Sequence, residues 1–404
     1  MNNWKQKITV IWIGQSISIL TSSVLQMALI WYITATTGSA MMVTLATIAG
    51  FLPHALIGTF AGVFIDRYSK KLIVILSDLF ISFICVILAL FSFTGNLPVW
   101  LIIILLAFRS IGTAFHEPTA QALIPLFVPD ESLTKFAGFA QAFESLSLIL
   151  SPSIAIVLYE IWDLHYIILL DVIGALVAVS LILIVKFPKQ KPSIHKHEKI
   201  NIIKETKEGL KVLSTYPGML TLVLVGMLYT VCYSPVGSLY PHITMNYFGG
   251  STAQSGFVEI VFSIGSLLGA LVLGIIGGRL PKTWGLMGSI FIYGLGICII
   301  GCLSPNLYWV FVIISLFVGF TIPFYHGIQR SIFQLTIPEE YLGRAFALAQ
   351  SSKRLGMPIG LLFGGLFADV VGVNILYIIA GFLAMILALT LTQNKSLKNL
   401  KNTK

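Results

Sequence analysis

The sequence predicts an all-α membrane protein of twelve spanning helices, grouped as two six-helix bundles in parallel repeat. Three observations carry this. Of 404 residues, 57% are hydrophobic and 10% charged, a balance foreign to an ordinary soluble enzyme. The apolar residues gather in long continuous runs, which suit helices and lack the alternation of a spanning β-barrel. Lysines and arginines fall almost wholly between the runs, and in every second gap, which sets an orientation across the bilayer.

A helix crossing the ~30 Å hydrocarbon layer needs roughly 20 apolar residues at ~1.5 Å rise each. Twelve stretches meet this: 8–33, 41–65, 71–93, 98–124, 136–159, 164–187, 217–240, 253–277, 284–303, 307–333, 346–368 and 373–392. The gaps are short, and only 188–216 is long and polar. It contains Pro188, Pro192 and most of a lysine cluster. The expected organisation is an N-terminal bundle (1–187), a cytoplasmic linker (188–216) and a C-terminal bundle with a short tail (217–404). Within the linker, IIKETKEGLKVL has the pattern of a short amphipathic helix at the inner surface. The first run is long enough to span and no small-residue cleavage pattern follows it, so no cleavable signal peptide is expected.

Orientation follows from the charges. Lys5 and Lys7 precede the first span, and Arg67, Lys70 and Lys71 lie between the second and third. Eight lysines from Lys186 to Lys211 separate the sixth from the seventh. Arg279 and Lys282 separate the eighth from the ninth, and Lys395, Lys398, Lys401 and Lys404 form the tail. The loops TATTGSA, FTGNLP and SPNL carry no basic residue, so both termini are expected in the cytoplasm. The net charge of +9 is then a topology signal rather than a nucleic-acid surface. The four cysteines (Cys85, Cys232, Cys298, Cys302) lie inside spans without zinc or disulfide spacing and read as small apolar fillers. There is no P-loop and no metal spacing among the histidines, so neither an ATP motor nor a cofactor is expected, and the chain is not read as an enzyme.

The two halves repeat. VPDESLTKFAGFAQA (128–142) aligns with IPEEYLGRAFALAQS (337–351) at a shift of about 209 positions, and GVFIDRYSKK (62–71) with GIIGGRLPKT (274–283) at about 212. TTGS at 36–39 falls opposite FGGS at 248–251 at the same shift. Ordered matches at a nearly constant offset argue for internal duplication. Two six-helix bundles in parallel repeat resemble the major facilitator architecture, which implies a substrate site near the bilayer midplane and access alternated by rocking.

The loop after the second span reads Gly62-Val-Phe-Ile-Asp66-Arg67-Tyr-Ser-Lys70-Lys71. It resembles the signature Gly-x-x-x-Asp-Arg-x-x-Arg/Lys-Arg/Lys of the major facilitator superfamily. That resemblance implies a gating latch, in which Asp66 beside Arg67 accepts a charged hydrogen bond from the start of the eleventh span, with Arg344 and Arg354 as candidates. The plainer alternative is a loop carboxylate that only caps the next helix. The second-half copy has Gly278 in the acid's place, which makes the latch one-sided.

The fourth span carries Arg109, Thr113, His116, Glu117 and Gln121 at spacings of three and four. An isolated charge at mid-membrane costs at least ~2.5 kcal/mol on insertion scales, so Arg109 should meet a partner or a wet cavity. Arg109 followed by Gly112 resembles the superfamily's fourth-helix pattern linked to proton transfer; an arginine–acid pair that fixes helix packing is the other reading. Asp78, Glu117, Glu144, Asp171 and Glu259 lie within spans, where low dielectric lets a carboxyl carry a proton near neutral pH. Glu117, next to His116, and then Asp171 are the first proton-coupling candidates. Asp78 is read as a partner of loop lysines.

Cavity candidates in the first span are Gln15, Ser18, Ser22 and Gln26. The fourth adds Thr113, the seventh Tyr229, Cys232, Tyr233 and Tyr240, and the tenth Tyr325, His326, Gln329 and Arg330. Aromatic, amide and hydroxyl groups with little fixed charge suit a bulky amphiphilic solute, cationic ones included. The same polar groups also hold spanning helices together.

Several segments together, IWIGQSISILTSSVLQMALIWY (11–32), TGSAMM (37–42), GFLPHALIG (50–58) and FRSIGTAFHEPTAQALIPLFVPDESLTKFAGFAQ (108–141), are similar to the macrolide-efflux (Mef-type) branch of the superfamily, within its third drug:proton antiporter group. The likeness spans the chain and is strongest over the first 190 residues. It implies a monomeric exporter in the bacterial plasma membrane, driven by protons, with macrolide antibiotics as cargo. It also implies a companion, a separate ABC-F ribosome-protection protein. Export of a siderophore or other natural metabolite, and proton-coupled uptake of a nutrient, are alternatives the same fold supports.

Overall fold

The computed structural model describes residues 4–95, 97–129, 132, 136, 147, 150–187, 213–216, 218–277 and 280–393, and the side chains of all of these except 59–60, 62–67, 339–340, 342–344, 347 and 392–393. The described chain is helical, with α1 Trp4–Thr37, α2 Ala40–Arg67, α3 Lys70–Phe93, α4 Val99–Phe127, α5 Leu150–Ile161 and α6 Leu164–Ile184. After the linker come α7 Met219–Ser238, α8 Thr252–Ile276, α9 Lys282–Cys302, α10 Tyr308–Thr336, α11 Glu339–Val371 and α12 Val373–Gln393. Eleven of these are long and apolar enough to cross a membrane, and α5 is a shorter apolar helix at the fifth expected position. The linker's amphipathic segment, apart from its last residue Leu213, lies outside the described residues.

Several helices outrun their apolar cores. The eleventh was expected from 346 but starts at Glu339, because polar residues beyond the apolar stretch extend the helix without disturbing its hydrogen bonds. The seventh stops as a regular helix at Ser238, where Pro235 and Pro241 interrupt donation; the chain continues through a short turn, Tyr240–His242, and a π-helical turn, Ile243–Tyr247.

Two compact units form. One joins the chain up to Thr37 with the residues from Leu45 through α6; the other joins Gly38–Thr44 with the residues from α7 onward. In the first unit α1 packs on α6, α3 on α6 and α3 on α4. In the second α7 packs on α12, α9 on α12 and α9 on α10, so three pairings recur at the duplicated positions. The turns before α2 and α8 repeat as well. Met42 N–H donates to Ser39 Oγ at 3.3 Å, and Gln254 N–H donates to Ser251 Oγ at 3.2 Å, so both serines cap their helices three residues on. Ser251 N–H donates in turn to Gln254 Oε1, completing a capping box in the second copy.

Glycines bring the second unit's helices close. On α11, Gly356, Gly360 and Gly364 repeat every fourth residue, and a Cβ on them would meet Met227, Val231 and Pro235 of α7. On α8, Gly265 and Gly269 lie against the backbone of Leu316 and Phe320 on α10. In the first unit a buried cluster of Ile8, Ile11, Val74, Leu123, Ile182 and Val185 ties the ends of α1, α3, α4 and α6 together. Lys71 Nζ caps the end of α6, donating to Val185 O at 2.9 Å and Leu183 O at 3.2 Å.

The second unit also holds a clasp at the start of α2. Asp369 of α11 accepts bonds from Ser39 Oγ and Ala40 N, each at 2.6 Å, and from Met41 N at 3.1 Å. Its charge sits where the amide dipoles of a helix start favour an anion. Gly365, one turn earlier, lets Met41 and Thr44 lie against α11. Burial holds nearby His242 below the ordinary imidazole range, and Asp369 draws it partly back.

Candidate functional site

The first unit contains a buried ion pair. Arg109 Nη2 of α4 donates to Asp171 Oδ2 of α6 at 2.9 Å, with side chains only 9% and 2% exposed. α1 closes on the pair: Ser22 Oγ donates to Asp171 Oδ1 at 2.7 Å and Thr21 Oγ1 at 3.3 Å. From α3, Cys85 Sγ donates to Asp171 Oδ2 at 3.3 Å. Cys85 is thus a hydrogen-bond donor to a carboxylate and not the inert filler that its spacing suggested. Gly174 makes this convergence possible, since any side chain there would collide with Thr21 and push α1 off α6. Arg109 Nε has no hydrogen-bond partner among the described residues. Two coupling candidates taken from separate spans therefore meet, and four helices supply the contacts.

The other first-unit candidates scatter around α4. His116 Nε2 stands 3.1 Å from Asp78 Oδ1 of α3, off the hydrogen-bond direction, and both are buried. Asp78 therefore faces a histidine rather than loop lysines, because it sits two turns inside α3 while Lys71 turns to the end of α6. Glu117 lies on the exposed side of α4, its side chain 57% accessible, 3.2 Å from His54 Nε2 of α2. Thr113 Oγ1 donates back to Arg109 O at 3.1 Å. Gln15 is buried, with neither amide atom hydrogen-bonded among the described residues, and Gln26 is half-buried beside Gly50.

In the second unit tyrosines gather. The Tyr229 and Tyr325 rings lie 4.2 Å apart, Tyr229 and Tyr293 5.3 Å, Tyr233 and Tyr293 5.8 Å, and Tyr229 and Tyr233 6.0 Å. The hydroxyls of Tyr229, Tyr293 and Tyr325 are buried without a hydrogen-bond partner among the described residues. His326 is exposed, its ring 4.9 Å from that of Tyr325. Gln329 is buried, and its Nε2 donates to Leu222 O at 3.4 Å.

Sequence reasoning missed Lys353 of α11. Its Nζ donates to Gln329 Oε1 at 2.6 Å and lies 5.2 Å from the Tyr325 ring centre. Lys353 is the one lysine inside 346–368, and the cost of a charge within a span holds for it as for Arg109. Tyr293 and His54 were missed too, since neither stands out in composition. Asp66 and Arg67 end α2 and Arg344 lies in the second turn of α11, with side chains outside those described; Arg354 is exposed further along α11.

Helices of spanning length in duplicated sets, each with buried polar clusters at mid-length, define a multi-pass membrane transporter. The chain matches the major facilitator family described as transmembrane secretion effectors over residues 4–404, and it belongs to that family. It is 43% identical over 388 residues to the macrolide efflux protein A of Streptococcus pyogenes, covering 96% of each chain. It is 42% identical over 324 residues to the Enterococcus faecalis protein of the same name, covering 80% of this chain and 100% of that one. A staphyloferrin A transporter of Staphylococcus aureus is 24% identical over 363 residues, 86% of each chain. Among solved structures, a nucleoside transporter superposes with a TM-score of 0.74 at 12% identity, covering 97% of this chain and 100% of that one. A D-xylose–proton symporter superposes with a TM-score of 0.70 at 13% identity, covering 98% of each. The protein is a membrane transporter and not an enzyme.

Proposed function

We propose that this transporter exports macrolide antibiotics across the bacterial plasma membrane, with both termini in the cytoplasm, by proton-driven alternating access. The observation that carries the reading is the 43% identity to a macrolide efflux protein over 96% of both chains. The second unit's chemistry supports it. A macrolide is bulky, largely apolar, rich in hydroxyls and carries a basic amine. Tyrosine rings offer apolar area and faces for a cation, and the three unpartnered hydroxyls offer bonds to a polar periphery.

For the coupling we assign the Arg109–Asp171 pair. A proton arriving on Asp171 neutralises the carboxylate, frees Arg109 and weakens the bonds from Ser22 and Thr21, so the α1–α4–α6 contact changes with protonation. Asp66, Arg67, Arg344 and Arg354 are assigned to the latch on their positions at the ends of α2 and in α11. The test is accumulation of labelled erythromycin in a sensitive bacterium expressing the chain. Accumulation should fall and recover when a protonophore collapses the gradient. Unchanged accumulation with well-inserted protein removes the macrolide assignment.

Siderophore export is the second reading, favoured by the likeness to the staphyloferrin A transporter. A metabolite-release assay beside the drug panel separates the two. Drug export with no siderophore release sustains the first.

A further inference from the structure

We propose that Lys353, Gln329 and Tyr325 form a cation-exchange site, in which a cationic amphiphile takes the tyrosine face now held by the Lys353 ammonium and its binding releases the lysine's proton. This rests on the export reading and adds to it the charge of the substrate and a proton-linked group.

The convergence is built around a glycine. A Cβ on Gly226 of α7 would lie 2.9 Å from Gln329 Nε2, 3.2 Å from the Tyr325 hydroxyl and 3.3 Å from Lys353 Cε. Three side chains from two helices therefore meet over one bare patch of α7. Lys353 lies inside Leu348–Val371, a stretch long and apolar enough to cross the membrane. Its Nζ donates to Gln329 Oε1 at 2.6 Å and faces the Tyr325 ring at 5.2 Å. Among the described residues no carboxylate lies within 4.0 Å of it. The other titratable groups near it are the Arg330 guanidinium and the His326 imidazole of α10, and the phenol of Tyr325. An ammonium in an apolar span with an amide and a ring, and with a guanidinium nearby, is held weakly enough to exchange.

The neutral amine also fits. The Gln329 carbonyl accepts from NH2 as well as from NH3+, and the Tyr325 hydroxyl lies with the lysine stem against the same bare face of Gly226. When a second cation stacks on Tyr229 and Tyr325, repulsion drives one Nζ–H proton to water; the electron pair stays on nitrogen. A lysine in this position couples cation and proton movement in opposite senses.

The probe is tetraphenylphosphonium, a permanent cation, added to the purified full-length protein in weakly buffered detergent solution while a pH dye is followed. The wild-type protein should release up to about one proton per cation bound, and a neutral triphenyl analogue should release none. Affinity for the cation should rise with pH by up to about tenfold per unit while the lysine is protonated. Lys353→Met should bind the cation at least as tightly and release no proton, and Lys353→Arg should bind it about tenfold more weakly, because a guanidinium keeps its charge. Equal proton release by wild type and Lys353→Met, equal release with the neutral analogue, or a pH-independent affinity overturns the proposal. Any of these with drug export intact leaves the export reading standing, whereas loss of export leaves the proton measurement unaffected.

Discussion

Asp171 is the residue on which most of the first unit's polar contacts depend. Arg109, Ser22, Thr21 and Cys85 all donate to its carboxylate. Replacing it with asparagine leaves Arg109 as a buried charge without a counter-ion, a change that typically costs about 3–5 kcal/mol. Asp171→Asn should therefore lower the unfolding temperature of the purified protein and abolish pH-driven drug transport in proteoliposomes. Residual transport that still follows the pH gradient would make the pair a packing device only. Glu117→Gln is the contrast, because that side chain is 57% exposed beside His54. It should leave thermal unfolding within about 0.5 kcal/mol of wild type, as exposed changes do. Loss of gradient-driven transport in this well-folded variant would move the coupling role to α4's exposed side. The sequence made Arg109 and Asp171 visible separately, through the cost of charge in lipid. It hid their pairing, which depends on Gly174 letting α1 approach α6.

Helix pairings and the turns before the helices both carry the duplication. Ser39 and Ser251 cap α2 and α8 in the same way, a likeness already readable in TTGS and FGGS. What composition could not show is which helices touch. The close contact of α7 with α11 depends on Gly356, Gly360 and Gly364, whose spacing becomes meaningful only when Val231 and Pro235 lie opposite. A leucine at Gly360 would meet Val231 O and Ser234 Oγ, and over-packing of this kind costs about 1–3 kcal/mol. Gly360→Leu should lower the unfolding temperature and also weaken cation binding, because it moves the helix that bears Lys353. A thermal-shift measurement with and without tetraphenylphosphonium reads both. An unchanged transition would mean that α7 and α11 are not held by this seam. The extra turns of α11 and the π-helical turn after α7 escaped sequence reading because hydropathy marks where lipid begins, not where backbone hydrogen bonding ends.

At the level of the whole molecule, fold class was legible because the bilayer imposes length and polarity on every span, and the charge pattern repeats that constraint from the other side. The substrate was not legible in the same way; a cluster such as Tyr229, Tyr293 and Tyr325 draws its members from three helices with no common motif. The assigned latch belongs at this scale, since it concerns switching rather than binding. Asp66→Asn should slow transport turnover several-fold while drug affinity, measured by equilibrium binding, stays near wild type. Parallel loss of both would indicate a folding defect.

The clasp at Asp369 has a consequence for how the polypeptide comes together. Gly38–Thr44 is made early by the ribosome yet completes the later-made half. A chain severed in the linker would yield a carboxyl-terminal fragment whose Asp369 meets only water until the amino-terminal fragment returns its helix start. The seven residues Gly38–Thr44 act as a complementing strap that only the amino-terminal fragment can supply.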